Sequence, residues 1–592
     1  MLNKIITIIF VSLLVFYIAT GCKSETATEP ESSETTTTNG TNIKVGTTGK
    51  TIAEISAGNK KDHEAADDYT WNSSEVIPIV LNGTAITSSS SSVTVSGSIV
   101  TITSGGTFSL SGSLTNGQIN INSTDAKVVR LILNGVNITN TTNAPINVIA
   151  AEKVVIVVAD NTQNYVTDAS TYVFANASDD EPNAAIFSKA DLSFCGNGSL
   201  TVKGNYNDGI ASKDGLIIKS GTINITSVDD GIRGKDYLVI KSGNINVNAK
   251  GDGLKSDNDE DSTRGYINIT TSVMNIVSGG DAITAQTDVL INDGTYTITS
   301  GGGSGYTASS TVSSKGIKGL VNTIISGGTF TLSTADDALH SNKNLVINGG
   351  TFSVASGDDG IHADATLFID SGTINITKSY EGIESAALII NGGEIHIVSS
   401  DDGVNGAGGR DASSPGSFAQ TGNYYLYING GYIFVNATGD GIDINGSIVM
   451  TDGVVIVNGP TANMNGAIDY DASFKITGGF IVATGSSGMA QAPGTSSSQY
   501  SVLITFKSTL AANTLFHIQN SIGADILSFV PKKAYQSVAL SSPKLTKGTY
   551  DIYYGGSSTG TLKDGLYTDG VYTAGTKAGS FTISSIVTKA NI

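Results

Sequence analysis

The feature that most constrains this chain is an acidic phrase that recurs at almost constant spacing. It reads ADDALHSN, GDDGIHAD, SYEGIESA and SDDGVNGA, and its second acidic residue stands at positions 337, 359, 381 and 402. The phrase therefore returns every 21 or 22 residues. A fixed period of about 20 to 50 residues indicates stacked supersecondary units, so the repeat decides the fold before any single residue does.

The unit that repeats is built from short strands. Runs such as Thr373 to Thr377 alternate polar and β-branched residues, which is typical of a strand with one buried face. Glycine-rich turns such as Asn-Gly-Gly separate the runs. A unit of this length holds three strands and three turns. The sequence therefore predicts an all-β parallel β-helix in which equivalent residues of successive coils stack about 4.8 Å apart.

Stacking turns the acidic phrase into a column of carboxylates, and like charges placed opposite each other destabilise a sheet. Calcium, which binds six to eight oxygen ligands, would relieve that repulsion. The alternative is that Asp-Asp-Gly is only a favourable turn in which Asp caps its own backbone. The predicted Ca²⁺ ligands are Asp229, Asp230, Asp252, Asp281, Asp336, Asp337, Asp358, Asp359, Glu381, Asp401, Asp402 and Asp440.

A second polar column follows two positions after the Gly of each phrase and is predicted to point outward, where it would contact a polysaccharide or simply face water. Tyr425 and Tyr427 share one face and would either stack on sugar rings or pack on the sheet edge. His340 and His362 beside Glu384 are also donors for a transition metal, although zinc needs three or four ligands. The predicted sugar contacts are Arg233, Lys255, His340, His362, Glu384, Asn405, Tyr425 and Tyr427.

Two residues depart from the pattern. Lys315 stands in an acidic slot and is expected to neutralise a neighbouring carboxylate without metal. Trp71, the only tryptophan, is expected to close the end of the β-helix core, with a sugar platform as the alternative.

The N-terminus has the features of a secretory signal over residues 1–21, with an apolar stretch and small residues before Cys22. It resembles a bacterial lipoprotein signal, which implies acylation of Cys22. The alternatives are an ordinary cleaved signal or a membrane anchor. We therefore expect an exported, membrane-anchored lipoprotein at the outer membrane or cell surface.

The rest of the chain divides by composition. Residues 22–62 are rich in Thr, Ser and Glu and predict a flexible tether, and residues 63–485 carry the repeats. Residues 486–499 are rich in Ser, Gly and Pro and predict a linker. Residues 500–592 keep alternating strands without the repeat and predict a C-terminal β segment, either a cap or a separate module.

The charge balance limits the partners. The chain has 33 basic and 52 acidic residues and a net charge of −19, which argues against nucleic acid. The same balance suits a surface protein that binds cations.

With the phrases SKGIKG, ADDALHS, GDDGIHAD, SYEGIES and SDDGVNGAGG on the page, the chain resembles bacterial surface carbohydrate-binding proteins of the calcium-binding parallel β-helix type, similar in shape to pectate lyases. The resemblance runs from about Asp67 to the C-terminus and is best over residues 184–445. It implies a right-handed β-helix, bound Ca²⁺, and binding of cellulose or polygalacturonate.

Three functions stay open at this point. The first is non-catalytic polysaccharide binding, which the sequence favours. The second is a calcium-dependent lyase on acidic glycans, for which Arg233, Lys235 and Lys255 near Asp230 and Asp252 supply candidate bases. The third is a structural adhesin or spacer, because a fold does not dictate a function.

Overall fold

The computed structural model describes residues 48–176, 178–308, 311–407 and 424–592, and this part of the chain is almost entirely strand. Its helices are an α-helix at Ile52–Ser56 and a 3-10 turn at Ser73–Glu75. In the described ranges no helix has the length and apolar character to span a bilayer. The predicted signal and Cys22 lie outside the described residues.

The repeats form a parallel β-solenoid whose coils contribute to three sheets. The acidic phrases lead into the first sheet. Its strands are Ile99–Ile102, Gln118–Asn122, Ile146–Ala150, Ala184–Ser188, Asp208–Ser212, Ile232–Gly234, Leu254–Ser256, Ile283–Ala285, Ile317–Gly319, Leu339–Ser341, the first halves of Ile361–Ile369 and Ile383–Ile390, Val404–Gly406, Ile442–Ile444 and Asp469–Tyr470.

The second sheet is the most apolar one, and most of its strands are buried on both faces. It begins with the first halves of Ile77–Gly83, Gly106–Leu114 and Val129–Thr139. It continues through Lys153–Val158, Asp191–Gly196, Gly215–Ile218, Tyr237–Ile240, Tyr266–Ile269, Asp288–Ile291, Asn322–Ile325, Asn344–Ile347, the second halves of Ile361–Ile369 and Ile383–Ile390, Tyr425–Ile428, Ser447–Met450 and Ser473–Ile476.

The third sheet shows the cleanest alternation of buried and exposed residues, as in the strand Thr351–Ser356. The second halves of Ile77–Gly83, Gly106–Leu114 and Val129–Thr139 start it. Its other strands are Gln163–Thr167, Ser199–Gly204, Thr222–Ser227, Asn244–Ala249, Val273–Ser278, Thr295–Ser300, Thr329–Thr334, Thr351–Ser356, Thr373–Lys378, Glu394–Ser399, Tyr432–Ala437, Val454–Asn458 and Phe480–Gly485.

Equivalent residues of successive coils do stack, as the repeat predicts. His340 lies opposite His362, which lies opposite Glu384, and Glu384 in turn lies opposite Asn405. The alignment also survives the insertions, because Asn405 pairs with Asp443 across residues 407–423. Vertical columns of side chains are therefore a real property of this fold.

The interior of the solenoid is one continuous apolar cluster made of the inward residues of all three sheets. Tyr296, Phe330 and Phe352 stack inside it with ring centroids 4.6 and 4.7 Å apart. Glycines make the turn into the third sheet. Gly372 has φ +112°, and a Cβ there would lie 3.0 Å from the carbonyl oxygen of Gly350, so a side chain would collide with the coil next to it.

Residues 48–76 lie along the outer side of the second sheet, which explains why that sheet is buried on both faces. Ile52 packs against Leu290, Ile324 and Val346, and the hydroxyl of Tyr266 donates to the carbonyl of Lys60 at 2.7 Å. Residues 48–62, which the sequence assigned to the tether, are therefore packed on the second sheet. The remainder of the predicted tether, residues 22–47, falls outside the described residues.

Trp71 corrects another prediction. It does not close the end of the core but lies on the outer side of the second sheet, with 38% of its surface exposed. It borders a cavity of about 410 Å³ together with Ile132, Val157 and Cys195. The prediction assumed that Trp71 covers an open end of the core. In the structure the N-terminal segment instead packs against the side of the first coils.

The C-terminal part of the chain caps the solenoid and is not a detached module. The strand Tyr535–Ser541 pairs antiparallel with the last solenoid strand Phe480–Gly485, and the apolar cluster of the C-terminal part includes Phe434 and Ile456 of the third sheet. Its strands are Ser501–Leu510, Phe516–Asn520, Asp525–Phe529, Tyr535–Ser541, Gly548–Tyr554, Ser557–Ser558, Thr561–Lys563, Leu566–Thr568, Tyr572–Thr573, Thr576–Ile583 and Val587–Asn591.

The segment predicted as a linker, residues 486–499, is packed on the last coils. The hydroxyl of Tyr470 donates to the carbonyl of Ala492 at 2.9 Å, and the amide of Gly494 donates to the carbonyl of Phe474 at 2.7 Å. Its composition resembles that of a linker because small residues also suit a chain that crosses closely over strand ends.

Candidate functional site

The acidic phrases form a carboxylate ladder along one corner of the solenoid. Along most of the ladder, one oxygen of the carboxylate accepts a hydrogen bond from the backbone amide of the equivalent residue in the next coil. Asp230 bonds the amide of Asp252 at 2.9 Å, Asp252 bonds that of Asp281 at 2.8 Å, and Asp337 bonds that of Asp359 at 3.0 Å. Each acid thus fixes the turn of the following coil, which is a structural role close to the turn-capping alternative.

The second carboxylate oxygen points to the residue three positions later. Lys255 lies 2.8 Å from Asp252 and 3.1 Å from Asp230, His340 lies 2.8 Å from Asp337, and His362 lies 2.9 Å from Asp359. Lys255 and His362 therefore neutralise the ladder from within, because contacts with carboxylates outweigh burial and raise the pKa of both groups. Arg233 contributes in the same way to Asp257 and, at 3.9 Å, to Asp208. Burial lowers the pKa of His340, so this imidazole contributes a hydrogen bond to Asp337 without a charge.

Lys315 pairs with neighbouring carboxylates, as its position in an acidic slot of the repeat predicts. Its side chain is fully buried, and its Nζ atom lies 2.7 Å from Asp336 and 2.9 Å from Asp337. A buried ammonium between two buried carboxylates compensates much of their charge, so no Ca²⁺ is needed to neutralise Asp336 and Asp337.

The ladder changes character after His362, because Glu384, three residues after Glu381, is itself acidic. Three residues after Asp402 comes Asn405, and three residues after Asp440 comes Asp443, so the neutralising base is missing. Asp402, Asp440 and Asp443 place one oxygen each within 4.8 Å of one another. No basic side chain of the described residues forms an ion pair with any of these three. We call them the open acidic cluster.

Burial and the crowding of these three carboxylates raise their pKa values. Burial and the neighbouring acids, above all Asp440, raise the pKa of Asp402 to about 7. Burial and the same kind of repulsion raise the pKa of Asp443 to about 7 and that of Asp440 to about 6. Asn405, which is 7% exposed, donates its amide to Glu381 at 2.6 Å, while its carbonyl oxygen is buried without a hydrogen bond. Three half-buried carboxylates beside an unused carbonyl form an oxygen-rich site suited to a hard cation.

The other predicted metal ligands divide between paired and crowded groups. Asp281 approaches Lys318 at 3.8 Å. Asp229 groups with Asp230 and Asp208, and Asp358 groups with Asp336 and Asp337. Burial raises the pKa of Asp208 to about 8 and that of Asp358 to about 7. Glu381 and Asp401 are half-buried, and Asp401 directly precedes Asp402 of the open acidic cluster.

The second polar column lies on the side of the first sheet away from the apolar interior, but it is not open to solvent as predicted. His340, His362, Glu384 and Asn405 are at most 7% exposed. The prediction is wrong at these positions because the short strand they occupy lies beneath the ladder carboxylates that contact it. Arg233 and Lys255 are half-buried and ion-paired.

Tyr425 and Tyr427 do share a face. Both are half-buried, they alternate with the buried Leu426 and Ile428, and their ring centroids lie 5.7 Å apart. They form a small aromatic platform on the outer side of the second sheet.

A surface that the sequence analysis missed lies on the outer face of the third sheet. There a single column of hydroxyl and amide side chains runs from coil to coil, each residue opposite the next in the register. Its members are Thr201, Asn224, Asn246, Asn275, Thr297, Thr331, Ser353 and Asn375. We call it the amide–hydroxyl column, and the signal for it was the repeated TINIT-like alternation.

The C-terminal cap ends this column. The residue opposite Asn375 is His396, whose Nε2 lies 2.9 Å from the carboxylate of Asp564 in the cap. The hydroxyl of Tyr432 donates to the same carboxylate at 2.9 Å. The open part of the face thus extends over about seven inter-coil steps, or roughly 34 Å at the usual strand spacing.

Comparison with known proteins shows which proteins the repeat region is similar to. Residues 96–360 match the family described as carbohydrate-binding domain-containing protein. A carbohydrate-binding domain-containing protein from Acetivibrio thermocellus is 44% identical over 126 residues, which are 21% of this chain and 44% of that protein. The chain thus spans less than half the length of that relative.

A solved structure is also similar in sequence. It is described as the polysaccharide lyase-like protein from C. thermocellum in a gadolinium derivative, and it is 37% identical, covering 38% of this chain and 92% of that chain with a TM-score of 0.38. The middle of this chain is therefore similar to carbohydrate-binding-domain proteins, which confirms the coarser part of the resemblance.

Proposed function

We propose that this chain binds a polysaccharide on the amide–hydroxyl column of the third sheet and does not cleave it. The observation that carries the proposal is the position of this column. Seven of its eight residues, Thr201 to Ser353, lie within the range that matches the carbohydrate-binding family. The face is also the long polar surface that neither the N-terminal segment nor the C-terminal cap covers in the described structure.

The column has the chemistry that sugar hydroxyls require. The amide of Asn246 donates to Asn224 at 2.9 Å, and the amide of Asn275 donates to Asn246 at 2.9 Å. A carboxamide has two N–H donors and two acceptor lone pairs, so each Asn keeps one N–H and one lone pair for a ligand. Repeated donors and acceptors on a flat sheet match a polymer with repeated hydroxyls.

The candidate bases of a lyase are engaged elsewhere, which supports binding without catalysis. A base must lose its proton easily, yet the contacts with Asp252 and Asp230 raise the pKa of Lys255 against the effect of its burial. Arg233 is similarly held by Asp257. Neither Arg233 nor Lys255 is therefore prepared for proton abstraction.

We also propose that the open acidic cluster binds Ca²⁺. Asp402, Asp440 and Asp443 crowd together without a basic partner, and a divalent cation would replace the protons that their raised pKa values retain. We place no Ca²⁺ at Lys255 or Lys315, where ammonium groups already occupy that role. The proposed Ca²⁺ binding is therefore confined to the C-terminal end of the carboxylate ladder.

The proposal keeps three further expectations of the sequence. The solenoid is right-handed, as parallel crossover connections usually are. Cys22 carries a lipid, and the protein is displayed from the membrane. The ligand is a plant-type polysaccharide of the cellulose or polygalacturonate class.

Affinity gel electrophoresis tests the proposal. We expect slower migration in gels that contain soluble cellulose derivatives or polygalacturonate, and no rise in ultraviolet absorbance from unsaturated products. Unchanged migration with every glycan would favour the adhesin or spacer alternative, and a rise in absorbance would identify a lyase.

A further inference from the structure

Two buried histidines at the centre of the ladder are not used by the proposed function. His340 and His362 lie opposite each other in the first sheet, with ring centroids 5.0 Å apart and an angle of 30° between the rings. They are 0% and 3% exposed. Burying two imidazoles side by side calls for a chemical reason beyond packing.

Carboxylates surround the pair. Nδ1 of His340 lies 2.8 Å from Oδ2 of Asp337, and Nδ1 of His362 lies 2.9 Å from Oδ2 of Asp359 and 3.6 Å from Oε2 of Glu384. One donor atom each of Asp337, His340 and His362 fall within 4.8 Å of one another, and the same holds for Asp359, His362 and Glu384. Two nitrogen donors and three carboxylates thus converge, with His362 common to both groups.

We propose that Asp337, His340 and His362 bind one divalent transition-metal ion of the zinc class, with Asp359 or Glu384 completing the coordination. Imidazole nitrogen favours Zn²⁺, Cu²⁺, Ni²⁺ and Fe²⁺, whereas Ca²⁺ prefers oxygen. The site therefore differs in kind from the open acidic cluster, which offers only oxygens. Neither glycan binding nor Ca²⁺ binding is assumed here.

The surroundings have the second shell that transition-metal sites require. Nε2 of His362 lies 3.2 Å from Oδ1 of Asp364, an arrangement that orients a metal-binding imidazole through its other nitrogen. The carboxylate of Asp337 is held by Lys315 at 2.9 Å and by the backbone amide of Asp359 at 3.0 Å. Ligands fixed in this way lose little conformational freedom when an ion binds.

The test uses chelator-treated full-length protein whose purification tag has been removed. Equilibrium dialysis against Zn²⁺ in an excess of Ca²⁺ should give one tightly bound Zn²⁺ per chain, and Co²⁺ should give a visible absorption band. The double variant His340→Gln, His362→Gln should bind Zn²⁺ at least tenfold more weakly. The matched control His396→Gln, His517→Gln removes two histidines outside the site and should bind as the parent does.

Two results would overturn the proposal. One is the absence of stoichiometric Zn²⁺ in the parent protein. The other is equal Zn²⁺ binding by the folded His340→Gln, His362→Gln variant. If that variant does not fold, anomalous scattering at the zinc edge from parent crystals decides the question. Density between His340 and His362 supports the site, and density only at the open acidic cluster or at another histidine refutes it.

Discussion

The Nζ atom of Lys315 lies 2.9 Å from Oδ2 of Asp337, and both side chains are buried. The lysine stands where the repeat otherwise places an acid, so the chain supplies its own cation at this level. The ladder is thus neutralised by a side chain at this level, unlike the open acidic cluster closer to the C-terminus.

Replacing this lysine should therefore destabilise the protein strongly. Lys315→Met leaves Asp336 and Asp337 buried without their partner, and removing one member of a buried pair costs about 3 to 5 kcal/mol. Urea denaturation of the metal-free protein measures the loss. Lys343→Met, which removes an exposed lysine of the next coil, is the control and should change stability little. Equal stability of the two variants would contradict a structural role for the buried pair.

Without divalent cations, the protein should become more stable as the pH falls from 8 to 6. Burial and repulsion raise the pKa of Asp402 to about 7 and that of Asp440 to about 6, so the folded state binds protons that the unfolded state has released. The stabilisation is present below these values and is lost as the pH rises through them. Contacts with Asp359 and Asp364 also raise the pKa of the buried His362, which acts in the same direction.

Thermal unfolding in chelator should show this trend as a shift of a few degrees. Saturating Ca²⁺ should flatten it, because the ion takes the place of the protons at the open acidic cluster. A melting temperature that rises between pH 6 and pH 8 in chelator would contradict the proposed crowding.

The open acidic cluster predicts opposite effects of one variant in two conditions. Asp402→Asn, Asp440→Asn keeps side-chain oxygens that accept the backbone amides of Asp440 and Gly466 but removes two charges. The variant should melt above the parent in chelator and below it in Ca²⁺. Differential scanning calorimetry measures both. Asp452→Asn, at an exposed carboxylate that caps Gly453, is the control and should match the parent in both conditions.

Glycan binding should be lost when charge is placed on the amide–hydroxyl column. Thr297 and Thr331 are exposed and lie opposite each other, so Thr297→Glu, Thr331→Glu alters the face without touching the core. Affinity for an acidic polysaccharide should fall at least tenfold in affinity gels, while the circular dichroism spectrum stays unchanged. The control Thr561→Glu, Thr568→Glu introduces the same charges on an exposed strand pair of the cap. Equal loss in both variants would place the binding surface elsewhere.

The sequence predicted the coil and its vertical alignment well, because the period of 21 or 22 residues leaves few other ways to bury alternating strands. It also predicted the role of Lys315. It failed where burial depends on segments distant in sequence. Residues 48–62 looked like a tether because their composition is polar, yet Ile52 finds an apolar site on the second sheet.

The second polar column was misplaced for a related reason. Strand alternation predicts which side of a sheet a residue takes, but it does not show that His362 lies beneath the carboxylates of Asp359 and Asp364. Whether an acid of the ladder is paired depends on the residue three positions later in the sequence. That dependence is visible only once the contacts between the two side chains are known. Asp443 is an example, since its importance comes from standing where other coils have Lys, His or Asn.

The antiparallel pairing of Tyr535–Ser541 with Phe480–Gly485 has a consequence for the state of the molecule in solution. A parallel solenoid ends in unpaired strand edges, and such edges recruit further copies into fibres. Here the returning strand runs in the opposite direction and occupies the terminal edge of the third sheet, so another coil cannot continue that sheet in register. The cap therefore protects a long stack of identical turns from growing end to end.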